Sequence, residues 1–283
     1  MLFKIMIAMC AFAANSVLCR VALSDYQIDP ISFSLIRVAS GAITLFFFYL
    51  IYRYKKKDKQ SNLEWNLMNG IFLAIYMVAF SLAYLKIDTG VGALLLFGSV
   101  QISMTIYGIF HGELINIKRG IGLVIALLGI LFLLLPGSNT PDLFYSSMMF
   151  LSGLAWAGYS IRGKYMNNPL ISTFTNFLIA TPVVLFALFL IPHESYILPK
   201  GIVLAILSGS LASSGAYVLW YLIMQKIEQV TASAVQLSVP CLAIIGGTLF
   251  IGEVLNWRII ISTLVVLIGI SLVIFSSKKP KIL

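Results

Sequence analysis

Ten apolar runs of roughly twenty residues, joined by short polar turns, decide what solvent this chain of 283 residues can fold in. At a rise of about 1.5 Å per residue, a helix of that length spans a hydrocarbon core of about 30 Å. The runs cover residues 2–23, 31–53, 66–86, 90–110, 117–135, 143–162, 170–191, 201–224, 230–251 and 258–276. Turn residues such as Asp29-Pro30, Pro136-Gly137-Ser138-Asn139, Asn168-Pro169 and Pro192 punctuate them. Only 10% of the residues are charged, too few to cover a water-facing surface, where about a quarter is usual. Apolar and polar residues do not alternate every second position, as a membrane barrel requires. Backbone groups in lipid must then be satisfied within helices. The sequence predicts an all-α polytopic membrane protein.

Basic residues orient it. If the N-terminus lies inside, the cytoplasmic segments hold fourteen of the nineteen Lys and Arg residues, including Lys4, Arg53, Lys55 to Lys57, Lys59, Lys118, Arg119, Arg162, Lys164, Lys226, Lys278, Lys279 and Lys281. The outer side holds Arg20, Arg37, Lys86, Lys200 and Arg258. Positive charge accumulates inside, so both chain ends are expected in the cytoplasm. The net charge of +9 then reflects loops facing anionic lipid, above all Tyr52–Lys59, and implies no nucleic acid. The first run follows Lys4 as a signal peptide would, but it passes twenty residues and carries Asn15 and Arg20, so it reads as a retained helix. Cys10, Cys19 and Cys241 all fall inside spans, which suggests neither a disulfide framework nor a metal or other cofactor.

The chain also repeats itself. LKIDTGVGALLLF (Leu85–Phe97) lies over QKIEQVTASAVQL (Gln225–Leu237) at an offset of 140, and the same offset lays Gly112-Glu113 on Gly252-Glu253. Arg20 matches Arg162 and Pro30 matches Pro169 with drifts of only a residue or two. Two five-helix repeats, 1–137 and 138–283, are therefore expected. Five is odd, so the second enters the membrane inverted, and such pairs place a site near the midplane between them.

With these features the sequence resembles the drug/metabolite transporter superfamily in its EamA-type, ten-helix branch. The likeness rests on the two five-span halves, the paired Gly-Glu, the runs Leu85–Gln101 and Gln225–Cys241, and Arg37 in span two. Span one departs from the family's frequent Trp-Gly, showing AANSVLCR (Ala13–Arg20), while AWAGYSIR (Ala155–Arg162) keeps the Trp. The resemblance implies a carrier that moves small organic solutes, often outward, by alternating access around a water-accessible chamber. Spans one, three, four, six, eight and nine would line that chamber, with five and ten peripheral.

Polar and aromatic residues at helical spacing supply the candidate lining. Span nine sets Gln229, Ser233, Gln236 and Pro240 on one face, and Pro240, lacking an N–H, bends it and frees the Gln236 carbonyl. That face reads either as a cavity wall or as a helix–helix hydrogen bond. Span eight offers Ser210, Ser214, Tyr217 and Tyr221, with Trp220 and Tyr221 near enough to the end to serve as belt anchors. Spans one, three, four and six add Asn15, Tyr76, Gln101, Trp156 and Tyr159. The expected substrate-binding set is Asn15, Tyr76, Gln101, Trp156, Tyr159, Tyr217 and Gln236, an aromatic pocket with amide and hydroxyl groups suited to neutral or zwitterionic solutes such as amino acids. Glu113 and Glu253 read as gate charges or a proton site, or as helix-end residues pairing with Lys118, Arg119 and Arg258. Arg37 reads as an outer residue that snorkels, pairs with Asp25 or Asp29, or attracts anions.

Every acidic residue lies in a loop or at a span end, which argues against a proton relay at the midplane. An enzyme is not expected. His111 and His193 fall at opposite faces, and neither His-Glu-x-x-His nor a Gly-rich Lys-Ser/Thr loop is present. The expectation is a monomeric carrier, an exporter in the inner (plasma) membrane, whose partners are a small-molecule substrate and the lipid bilayer. An uptake permease or a flippase for lipid-linked substrates are the alternatives.

Overall fold

A computed structural model describes residues 1–56, 63–134, 141–191 and 194–276. Lys57 to Lys59 of the basic run, the Pro136–Asn139 turn, the expected boundary at 137/138, Pro192, His193 and the last three lysines lie outside the described residues.

Among the described residues the chain forms α1 (Leu2–Ser24), α2 (Pro30–Lys56), α3 (Leu67–Ala83), α4 (Thr89–Phe110), α5 (Ile117–Leu134), α6 (Leu143–Gly163) and α7 (Pro169–Leu190). There follow α8 (Pro199–Leu207), a π-helical segment (Ser208–Ser214), α9 (Gly215–Met224), α10 (Gln229–Gln236), α11 (Val239–Ile251) and α12 (Trp257–Phe275). Each of the ten predicted spans falls on a helix, or on a run of consecutive helices, to within a few residues. Among the described residues six stretches are long and apolar enough to cross a membrane by length and composition: Leu2–Ser24, Pro30–Lys55, Thr89–Phe110, Pro169–Leu190, Pro199–Met224 and Gln229–Ile251. The protein is an all-α polytopic membrane protein.

Local chemistry sets the ends. The Asn66, Asp142 and Asn168 side chains accept from the backbone N–H groups of Asn69, of Phe144 and Tyr145, and of Leu170 and Ile171. These contacts satisfy donors that a helix start leaves open. Pro169 and Pro199 occupy first-turn positions, where a missing N–H costs nothing.

Two predicted spans are not continuous α-helices. Span nine breaks between Gln236 and Val239, where Leu237 and Ser238 donate to Ala234 and Val235 across only three residues. Pro240 opens α11 in its first turn, which accounts for the break. Span eight widens into the π segment at SGSLASS, a feature the pattern did not disclose. A Cβ on Gly209 would collide with the Arg37 carbonyl and the Ser40 hydroxyl, so glycine there lets α2 press backbone to backbone against the π segment.

The helices pack with α5 against α12 at one margin and α2 against α7 at the other. Between them lie α1, α3, α4, α6, the π segment with α9, and α10 with α11. At the margin a Cβ on Gly122 would stand 2.7 Å from the Gly269 carbonyl, so α5 and α12 touch through glycine. One face of the bundle, here the first face, joins the end of α4 to the start of α10 and the end of α2 to the start of α7. The second face joins α1 to the α3–α4 turn and ties Asp29 and Gln27 to Tyr196 and Leu198.

A candidate solute site at the centre of the bundle

The central helices bring the predicted lining residues together. Trp156 on α6 stands 4.8 Å from Tyr217, 4.9 Å from Tyr76, 5.3 Å from Phe12 and 5.4 Å from Tyr159, ring centre to ring centre. The Trp156 indole N–H donates to the Gln236 side-chain oxygen Oε1 at 2.6 Å, and the Gln236 side-chain nitrogen Nε2 faces Met104 Sδ and the Ala232 carbonyl. Asn15 donates weakly to the Tyr76 hydroxyl at 3.5 Å and accepts from Ser208. Asn15, Tyr76, Trp156, Tyr159, Tyr217 and Gln236 thus form one connected cluster. Gln101 is buried on α4 and donates to Thr105 at 3.0 Å, and among the described residues its amide oxygen has no hydrogen-bond partner and no hydrogen bond joins it to the cluster.

The expected water-accessible chamber is closed. Trp156, Tyr159, Tyr217 and Gln236 are buried, and their side chains fill the space between the helices. Aromatic faces and edges at these separations attract one another and exclude water, so the lining collapses on itself. Trp220 and Tyr221 are not belt anchors. Both are buried, Trp220 donating to Ser160 at 2.9 Å and Tyr221 to the Tyr159 carbonyl at 3.2 Å.

The largest departure is Arg37. It neither snorkels nor pairs with Asp25 or Asp29: it is wholly buried, at 0% exposure. Seven residues past Pro30 put its Cα about 10 Å along α2, and the side chain runs inward past the π segment. Nε donates to Ser213 at 3.1 Å, while Nη2 donates to Tyr217 at 2.7 Å and Tyr76 at 3.1 Å. The Tyr217 hydroxyl donates to that of Tyr76 at 3.1 Å, and the rings of Phe80 and Tyr76 lie 5.1 and 5.3 Å from the guanidinium carbon. Among the described residues no carboxylate reaches it. A charge at this depth costs about 3 kcal/mol on insertion scales, and only hydroxyls and ring faces offset it here. Its distance past Pro30 was the available signal for this position.

Glu113 and Glu253 do something that spacing along one helix does not reveal. Each follows a glycine in the left-handed region, Gly112 at φ +81° and Gly252 at φ +77°, which turns the chain back on itself. Glu113 then accepts from the backbone N–H groups of Gln229 (2.7 Å) and Val230 (3.0 Å), at the start of α10. Glu253 accepts from the Thr89 N–H (2.9 Å) and hydroxyl (2.9 Å), at the start of α4. Each carboxylate sits at a helix N-terminus, where negative charge is favoured. The partners expected from sequence are partly replaced: Arg119 pairs with Glu228 at 2.6 Å, and Glu253 meets Arg20 at 3.4 Å. Burial pushes the Glu253 carboxyl above its ordinary range. The Thr89 bonds oppose that rise, Asp88 adds to it and Arg20 lowers it again. Beside Glu253 the second face opens a cavity of about 430 Å³ lined by Lys86, Asp88, Asp142, Asn256 and Arg258 among others.

The bundle thus has a buried polar and aromatic centre and helix ends cross-linked at both faces. The EamA-like transporter family model matches residues 1–135 and again 143–275, and the chain belongs to that family. It is 40% identical to an uncharacterized protein of Pseudomonas aeruginosa, over 95% of this chain and 92% of that one. Uncharacterized transporters of Bacillus subtilis and Archaeoglobus fulgidus are 24% and 25% identical, over 91% and 87% of this chain and 91% and 89% of theirs. A solved crystal structure of a protein aligns over 94% of this chain and 96% of its own with a TM-score of 0.67 and 12% identity, which shows likeness of fold alone.

Proposed function

We propose that this transporter moves small organic solutes of neutral or zwitterionic character, such as amino acids and related metabolites, by alternating access across the inner membrane with both chain ends in the cytoplasm. Residues 1–137 and 138–283 act as two inverted five-helix repeats. Asn15, Tyr76, Gln101, Trp156, Tyr159, Tyr217 and Gln236 form the solute site, while Glu113, Glu253, Pro240 and Arg37 hold or gate it. The observation that carries the reading is the buried cluster around Trp156: six side chains from α1, α3, α6, α9 and α10 meet where the family's helices converge, with amide and hydroxyl groups among apolar rings. The closed packing then corresponds to a solute-free, occluded state. Outward transport is favoured by the family resemblance, and the chain works as a monomer without a cofactor.

A counterflow screen tests this. Purified protein in proteoliposomes loaded with pooled unlabelled amino acids, purines and organic acids should concentrate a labelled member of the matching pool. Movement of a lipid-linked substrate without any small-solute counterflow would replace this reading with a flippase.

A further inference from the structure

Among the described residues the central guanidinium is a cation with no anion. Three hydroxyls and two ring faces surround Arg37, and its Nη1 is buried with no hydrogen-bond partner among those residues. We propose that Arg37 is the anchor for a carboxylate on the transported solute, which narrows the zwitterionic and neutral solutes to those that carry a carboxylate, amino acids above all, and extends the range to anionic organic acids. This rests on the carrier reading above.

Charge comes first. Arginine stays ionised in any protein environment, and the described acidic residues sit in turns or at helix ends. The helices therefore supply no fixed counter-charge, and a solute carboxylate would supply one that leaves with the solute. Geometry comes second. The Ser213 hydroxyl holds Nε from the π-segment side and Nη2 reaches Tyr76 and Tyr217 at the aromatic cluster, while Nη1, the other tine of the fork, is buried without a hydrogen-bond partner among the described residues. A planar fork of this kind matches the two oxygens of a carboxylate. Nη1 is already without a partner, and Nη2 is held only by hydroxyls. Those hydroxyls are donors too, so a carboxylate displacing the Tyr217–Tyr76 bond would accept from both phenols as well as from Nη1 and Nη2. Third, the same hydroxyls belong to rings packed on Trp156, so a carboxylate at Arg37 places the rest of the solute among the aromatic faces. A site built this way selects for an anionic group and tolerates varied apolar remainders.

The test uses the full-length protein in proteoliposomes at neutral pH. Counterflow is measured for the standard amino acids and a set of aliphatic and aromatic monocarboxylates, each beside its primary amide. At least one acid should move ten-fold or more faster than its amide. Arg37→Gln should cut acid flux at least ten-fold and bring acid and amide within two-fold of each other, with Arg37→Lys intermediate because a point charge lacks the fork. Should Arg37→Gln fail to fold, melting of the wild-type protein decides: the transported acid raises its melting temperature and the amide does not. Equal movement of acid and amide by the wild type, or an acid preference that survives Arg37→Gln, overturns the anchor and leaves the carrier standing. No movement of any member while a purine of the wider screen moves overturns the anchor alone, and no movement in either set overturns the carrier reading and the anchor with it.

Discussion

Gln236 and Glu253 show how single side chains set this molecule's behaviour. Gln236 is the acceptor for a buried indole N–H at 2.6 Å. Gln236→Leu keeps the volume and removes the acceptor, leaving a desolvated donor that costs about 1–3 kcal/mol. Solute flux should fall roughly ten-fold while the protein still inserts; unchanged flux and binding would remove Gln236 from the site. Glu253 makes a pH prediction. Its proton affinity is raised where the carboxyl is buried beside Thr89 and Asp88 with Arg20 opposing, relative to any arrangement that solvates it. The closed second face therefore binds the proton more readily, and acid favours it. Flux should decline as the pH at that face falls toward the ordinary glutamate value of about 4.3, and Glu253→Gln should flatten the response. Lys86, Asp142 and Arg258 share the adjoining cavity, so acceleration by acid would assign the titration to another group. Sequence pattern placed Trp156, Tyr217 and Gln236 on inward faces because helical spacing exposes a stripe. It misplaced Arg37, because a basic residue near a span's start reads as snorkelling unless its depth is counted from Pro30.

At the scale of elements, the contact of α2 with the π segment fixes where Arg37 points. Gly209 leaves no room for a side chain between the Arg37 carbonyl and Ser40. Gly209→Val should separate the two helices at a cost of about 2 kcal/mol, read as a lowered melting temperature in detergent with loss of the Ser213 contact. Retained stability would mean that the two backbones do not meet there. The ten spans were legible because lipid demands helices of a set length. The break before Pro240 was legible too, since proline removes a donor at a known place. The widening at Ser208–Ser214 was not, because small residues are equally compatible with α-helix, and only packing against α2 selects the wider turn.

For the whole molecule, the central relation is reciprocal. Glu113, in the turn that follows α4, caps α10 at the first face, and Glu253, in the turn that follows α11, caps α4 at the second. The duplicated Gly-Glu announced the correspondence, but which helix each carboxylate would reach depends on a spatial neighbour that no spacing encodes. If these caps close the two ends of one pathway, removing them should bias the molecule in opposite directions. Glu113→Ala should favour opening at the first face and Glu253→Ala at the second. The most direct measurement places a single cysteine at buried Ser233 after Cys10, Cys19 and Cys241 are replaced. Labelling by a membrane-impermeant thiol reagent is then followed from each side of oriented vesicles. The account predicts labelling from both sides in the parent, shifted toward the first face by Glu113→Ala and toward the second by Glu253→Ala. Labelling from neither side, or from one side alone in all three proteins, would contradict alternating access.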